Sequence, residues 1–384
     1  MKKTIDLLSD LVAFGCLGGE SNLPIANYIE AVFQQYNIHY HRVMDETGKK
    51  MALHCRIGPA AEGGVILSGH TDVVPVEGQP WTQSPFKLTQ EGTKLYARGS
   101  TDMKGFIACC LAMIPEMLKA PLKRPIYLAF SYDEEVICLG APDLIKDIHA
   151  TYIPKPSYAI IGEPTMMQTV TGEKGICAFT TTVYSSAAHS SQVRSSVSAI
   201  EESTYLIQWL TAKMDQLIKK GHVDNRFKPP HTTIHVGVIQ GGIAVNIIAD
   251  KCWFEWDVRN IPMDIIQTIV QDFEAYCKER VELKQGINPN FDIKTVPNFP
   301  IVPSLDTDAT TDFVEIINQC NGTKIVGTVS YGSEAGQYAE SGFEVVVCGP
   351  GNINRAHKAD EYIKISELEA CEEFLKKLIV WCSK

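Results

Sequence analysis

The sequence predicts an α/β protein with a mixed sheet, interrupted by an inserted α+β block. Three observations carry this. Short apolar runs, "VILSG" (65–69), "IYLAF" (126–130), "YAII" (158–161) and "VVVCG" (345–349), show no clean alternation, the pattern of strands buried on both faces. Helical patterns separate these runs, so strand and helix alternate along the chain. Between residues 177 and 296 the order changes to β-α-β-β-α-β, the ferredoxin-like arrangement.

The elements follow in chain order. Residues 4–15 read as a helix, and a second runs from Leu23 to Tyr36 with Ser21 or Asn22 as its cap. "KGFIACCLAMIPEMLKA" (104–120) reads as an apolar helix interrupted by Pro115. In the middle block "FTTTVY" (179–184) alternates and leads into a helix over roughly 197–219. "TTIHVGVI" (232–239) and "CWFEWDV" (252–258) are strand-like, with Gly241 and Gly242 in the loop between them. A helix over about 264–283 and the strand "FDIKTV" (291–296) complete the block. The Pro-rich "VPNFPIVP" (296–303) returns the chain to the first domain. The expected division is therefore 1–176 with 297–384, and an inserted domain over 177–296. "SELEACEEFLKKLIVWC" (366–382) is amphipathic and closes the chain as a surface helix.

Composition narrows the classes of function. The chain has 384 residues, 45% hydrophobic and 21% charged, the balance of a globular protein. Its net charge is −10 with no basic block, which argues against nucleic acid as a partner. No apolar run approaches the ~20 residues of a membrane span, and "MKKTIDLLSDLVAF" carries Asp6 and Asp10 inside its apolar stretch. The expectation is a soluble cytoplasmic protein. The 12 cysteines form no CxxC pair, and Cys16, Cys177, Cys252, Cys320 and Cys348 have apolar neighbours. They read as buried reduced thiols, not zinc-thiolate ligands.

The chemistry lies where the apolar strands end. "SGHTDVVP" places His70 and Asp72 after the 65–69 run, and "SYDEEV" places Asp133, Glu134 and Glu135 after 126–130. Glu163 in "IIGEPT" follows 158–161, Asp102 lies in "GSTDMKG", and His357 follows the loop after 345–349. Ligands of an open α/β sheet collect beyond the carboxyl ends of its strands. Taken singly, His70 would be a satisfied structural residue, and Asp102 would cap the helix starting near Lys104. Together, two imidazoles and several carboxylates in one crevice would be costly without compensation. A pair of divalent cations would compensate them. An imidazole and carboxylate set without thiolate suits zinc, and also cobalt or manganese. A carboxylate such as Asp102 can bridge two ions. Asp72, two residues past His70, lies on the same side of an extended chain and is expected to accept the second His70 N–H. Glu134 and Glu135, as neighbours, would point to opposite sides, so that one holds metal and the other serves as base. Glu334 in "YGSEAG" is an acid in a Gly-rich loop, either a surface carboxylate or a partner for a cationic substrate side chain.

These segments resemble, in order, the five metal-site motifs of the two-zinc aminoacylase and carboxypeptidase family: "SGHTDVVP", "RGSTDMKG", "DEEV", "IIGEPT" and "AHKADEY". The resemblance runs over nearly the whole chain. It implies an exopeptidase-like catalytic domain with two zinc ions per subunit, replaceable by cobalt or manganese, and an inserted lid and dimerisation domain. By resemblance His70, Asp102 and Glu163 hold one ion, Asp102, Glu135 and His357 the other. Asp72 orients His70, and Glu134 is the general base. "AAHSS" is similar to the family's lid histidine motif, which makes His189 the oxyanion donor, acting across a homodimer. "VNIIADKCWFEWDVR" is similar to its Asn and Arg segment, so Asn246 and Arg259 are expected on the substrate. The implied reaction is removal of the acyl group from an N-acyl amino acid, with acetylated ornithine the favoured substrate. Succinylated diaminopimelate and dipeptides are the alternatives within the family. A catalytically dead relative would not need Glu134, and an α/β oxidoreductase would need a GxGxxG after its first strand, which is missing. The chain departs from the family pattern at Ala188, where Gly is common, and at Gln192 and Val193, where Asp-Pro is frequent.

Overall fold

The computed structural model describes residues 1–384 and divides into two compact units. The first comprises Met1–Gly172, Leu305–Thr328 and Ser333–Lys384, the second Glu173–Ser304 with Val329–Gly332.

A mixed sheet forms the first unit. At its centre Val65–His70 runs parallel to Ile126–Ser131 on one side and to Tyr158–Pro164 on the other. Glu344–Gly349 adds a further parallel strand beside Tyr158–Pro164. All six residues of Val65–His70 and of Ile126–Ser131 are buried, which explains runs without alternation. Leu67, Leu128, Ile160 and Val346 share one core with the helices Lys2–Ala13, Leu23–Gln35, Lys104–Ala112, Asp312–Asn321 and Ile365–Cys382. Ile66, Tyr127 and Ala159 are buried outside that core, and Ala141–Thr151 packs against this part of the sheet. Because the four central strands are parallel, their carboxyl ends share one edge. There the chain emerges at His70, Ser131, Pro164 and Gly349.

Among the strands that the sequence does not reveal are two at one edge of this sheet. Tyr40–Met44 and Met51–Ile57 pair antiparallel with each other, and the latter pairs antiparallel with Ile126–Ser131. His41, Arg42, His54 and Arg56 interrupt their apolar pattern. The helix expected over 104–120 is two helices, Lys104–Ala112 and Ile114–Lys119. Pro115 lies in the first turn of the second, where its missing N–H leaves no hydrogen bond unmade. All 12 cysteines are free and buried, as expected. No helix is long and apolar enough to cross a membrane.

In the second unit four strands form an antiparallel sheet in the order Thr233–Gly241, Lys251–Asn260, Gly175–Tyr184, Asp292–Pro297. With helices Ala199–Lys219 and Ile266–Gln285 this is the ferredoxin-like order. Gly175–Tyr184 and Lys251–Asn260 alternate in burial, so one face packs on the helices. Trp256 anchors that core, stacked on Phe179 at 4.6 Å and edge-on to Phe273 at 5.1 Å, with Nε1 donating to Thr181 Oγ1 at 3.0 Å.

Two glycines set the exit of the strands that frame Glu163. The register of Glu344–Gly349 against Tyr158–Pro164 shifts between Val347 and Gly349. A Cβ on Gly349 would overlap the Gly162 carbonyl, and one on Gly162 would overlap the Phe106 ring. Backbone carbonyls cannot move aside as side chains can. Gly349→Ala is therefore expected to cost about 1–3 kcal/mol and to lower the thermal midpoint by at least about 2 °C. An unchanged midpoint in a melting experiment would contradict this packing.

Candidate metal centre

His70 ends its strand with its side chain buried. Its Nδ1 lies 3.0 Å from the backbone carbonyl of Asp72, which fixes the ring and leaves Nε2 facing the acids. Nε2 is 3.2 Å from Asp102 Oδ1, 3.7 Å from Glu163 Oε1 and 4.0 Å from Glu134 Oε2. The other oxygen of Asp102 lies 3.2 Å from His357 Nε2, which in turn is 3.1 Å from Glu135 Oε2. Asp102 thus stands between two imidazoles, each with its own further carboxylate. Two triads, His70–Glu134–Glu163 and His70–Asp102–Glu135, each bring their donor atoms within 4.8 Å of one another.

The sequence reading expected the Asp72 carboxylate to take the second His70 N–H. That oxygen is 3.6 Å away, and the Asp72 backbone carbonyl takes the hydrogen bond instead. The carboxylate is engaged elsewhere: Oδ1 accepts from the Glu134 N–H at 3.2 Å and Oδ2 from the Glu135 N–H at 3.1 Å. Asp72 therefore joins the loop after one strand to the loop after its neighbour. Glu134 and Glu135 lie in a turn, not in extended backbone, yet their side chains still diverge, one toward His70 and one toward His357.

The turn is held from both sides. Asp133, with φ of 54°, accepts from the Gly19 N–H at 2.8 Å and pairs with Lys50. The Cys138 thiol lies 3.5 Å from Glu134 Oε1. Burial, with Glu134 and Glu334 nearby, pushes that thiol well above its ordinary pKa, so it stays a protonated donor. Cys138 is a site neighbour that the sequence reading missed. Its only signal is a position four residues after Glu134.

The electrostatics expose a surplus of acid. Burial, joined by the charges of Glu135 and Asp102, raises Glu134 well above the carboxylate range. Burial and Asp102 do the same to Glu163, whose Oε1 has no hydrogen-bond partner. His357 is pushed up to about 10 by its contacts with Asp102 and Glu135. Burial opposes protonation of His70, but the carboxylates of Asp102 and Asp72 outweigh it. Four largely buried carboxyl groups thus share two imidazoles, the buried His70 and the exposed His357. Divalent cations would satisfy the orphaned Glu163 oxygen and the excess negative charge together. The donors are nitrogen and oxygen only, a set that zinc, cobalt and manganese accept.

Glu334 is not a loop-surface carboxylate. It is 1% exposed, at the start of the helix Ala335–Glu340, and burial pushes it up to about 7. Ser68 and Ser131 work against that rise, and they lie on the strands that lead to His70 and Glu134.

His189, Asn246 and Arg259 belong to the second unit. The short strand Ala188–His189 pairs with Ile247–Ile248, and the Ser190 N–H donates to the Asn246 carbonyl at 3.0 Å. This ladder brings the His189 and Asn246 segments together. Both side chains are exposed, and His189 Nδ1 accepts from the Ser191 N–H at 3.2 Å. Arg259 lies in Lys251–Asn260, with its Nε 3.5 Å from Asp257 Oδ2.

Comparison with known proteins points the same way. Residues 66–380 match the model of peptidase family M20/M25/M40. The chain is 32% identical over 379 residues to an acetylornithine deacetylase from Myxococcus xanthus, covering 97% of this chain and 95% of that protein. Among solved structures, an M20 family metallo-carboxypeptidase from Sulfolobus solfataricus superposes with a TM-score of 0.75 at 20% identity, covering 99% of this chain and 100% of that one. A dinuclear metal-binding peptidase of family M20 from Bacillus subtilis superposes with a TM-score of 0.67 at 15% identity, covering 99% and 97%.

Proposed function

The chain belongs to peptidase family M20/M25/M40 and is a metal-dependent hydrolase, and from that premise we propose that it removes the acetyl group from N2-acetyl-L-ornithine, releasing L-ornithine and acetate. The observation that carries the reading is the convergence of His70, Asp102, Glu134, Glu135, Glu163 and His357, from five separate segments, into one cluster of nitrogen and oxygen donors. The choice of substrate is supported by similarity to the Myxococcus xanthus enzyme.

His70, Asp102 and Glu163 would hold one ion, and Asp102, Glu135 and His357 a second. When bound, such ions supply Lewis acidity to the attacking water and to the scissile carbonyl. Zinc is the assigned metal, with cobalt or manganese as substitutes. Glu134 is the general base: its carboxylate takes a proton from the attacking water and returns it to the leaving amine. Its backbone is fixed by Asp72 and its Oε1 by Cys138. Arg259 presents a planar fork suited to the substrate α-carboxylate, and Asn246 is assigned a contact to the same substrate. Glu334 is assigned the selection of a cationic substrate side chain such as that of ornithine, because a cation beside it would favour the charged form that burial disfavours.

His189 is assigned to the oxyanion, acting in the site of the partner subunit of a homodimer. Supporting the dimer, Thr233–Gly241 is an edge strand with exposed Val238 and Ile239, and Ile243 and Val245 beyond it are exposed as well.

Glu134→Gln is expected to keep its metal and lose about 10²–10⁴ in kcat. Activity is to be compared on N2-acetyl-ornithine, N-succinyl-diaminopimelate and simple dipeptides. The acetylated substrate should give the highest kcat/KM, and a preference for either alternative would overturn the substrate assignment. Glu334→Gln should narrow the preference for N-acetyl-ornithine over N-acetyl-methionine. Subunit exchange tests the dimer. Mixing His189→Ala with Glu134→Ala should restore roughly a quarter of wild-type activity if the histidine is lent across a two-fold axis. No recovery after demonstrated exchange would place His189 in its own subunit's site or outside catalysis.

A further inference from the structure

Glu361 is a carboxylate that the metal-site reading leaves unassigned. It is 1% exposed, and both of its oxygens are engaged by the loop that carries Asp102. Oε1 accepts from the backbone N–H groups of Thr101 at 2.8 Å and Asp102 at 3.1 Å. Oε2 accepts from the Gly99 N–H at 3.0 Å and from Arg98 Nη1 at 2.8 Å. Three turn amides pointed at one carboxylate leave the Asp102 backbone little freedom to rotate.

Arg98 extends the arrangement to a third loop. It too is 1% exposed. Its Nη1 reaches the Lys358 carbonyl at 3.3 Å, its Nη2 reaches the Pro75 carbonyl at 3.4 Å, and Nη2 donates to Gln79 Oε1 at 2.6 Å. Gln79 Nε2 then donates to the backbone carbonyl of His357 at 3.1 Å. The pair thus ties together the loop after His70, the turn of Asp102 and the segment from His357 to Glu361. Only a planar guanidinium has enough donors in fixed directions for these acceptors. Neither side chain reaches the cluster of donor atoms itself.

We propose that Glu361 and Arg98 are positioning residues that hold Asp102 and His357 at the separation two metal ions require. The inference rests on the metal assignment above and adds to it a cause for the placement of the shared carboxylate. A buried ion pair can also serve stability alone, so the test must read metal binding and not only melting.

The experiment titrates cobalt(II) into metal-free protein by calorimetry and follows the visible spectrum of the cobalt form. Glu361→Gln keeps the shape but sets an amide against backbone N–H donors. It is expected to weaken cobalt binding ten- to a hundredfold, the range typical of partners that orient ligands, and to alter the visible band. Glu202→Gln is the control. It breaks another buried cluster, with Arg280 at 2.6 Å and Lys284 at 3.0 Å in the second unit. It should lower the thermal midpoint and leave cobalt affinity unchanged. Arg98→Lys keeps the charge opposite Glu361 but loses the fork, and should weaken binding by a smaller factor. If Glu361→Gln does not fold, that variant decides the matter. Cobalt affinity within twofold of wild type in the folded variants, or an equal loss in Glu202→Gln, overturns the positioning role. A wild-type protein that takes up no cobalt overturns instead the metal assignment on which it rests.

Discussion

Asp102 and Glu163 are buried, and Glu134 and Glu135 largely so, with only the buried His70 and the exposed His357 to offset them. Like charges at this spacing repel strongly once desolvated, and a buried carboxylate without a partner is costly. The rest of the first unit is arranged so that this cluster can exist. Parallel strands bring their carboxyl ends to one edge, and helices seal both faces of the sheet behind them. The close approach of Gly162 and Gly349 lets two strand ends meet beside Glu163.

Backbone hydrogen bonds, more than side-chain contacts, set the geometry. The Asp72 carbonyl orients His70, while its carboxylate receives the amides of Glu134 and Glu135. Glu361 does the same for the turn of Asp102. In each case one acid fixes the loop that carries another acid of the cluster. Such outer partners cannot be exchanged for neutral groups without freeing several N–H donors at once.

The strands that deliver His70, Glu134 and Glu163 were legible because each is an unbroken apolar run that stops abruptly at charge. A strand buried on both faces and ending at a polar site produces that pattern directly. Tyr40–Met44 and Met51–Ile57 were not legible, because His41, Arg42, His54 and Arg56 hide strands whose burial depends on the finished sheet. The true partners of the Asp72 carboxylate were also out of reach. They depend on a turn in which Asp133, Ile137 and Cys138 all take positive φ. Isoleucine and cysteine rarely adopt that conformation, so nothing in their identity signals it. The sequence shows Glu334 only as an acid in a Gly-rich stretch, because its burial comes from packing between segments distant in sequence. Motif order carried the assignment of ligands, while the physical reason for each position emerged only from the folded chain.

The central claim is that Asp102 is shared by two metal ions, with His70 and Glu163 on one and Glu135 and His357 on the other. Anomalous diffraction at the zinc edge from crystals of the zinc-loaded protein tests it most directly. The predicted result is two peaks within ~4 Å of each other, both in contact with Asp102, and Glu134 free of either. A single peak, or two peaks with Asp102 turned away from one of them, would contradict the account.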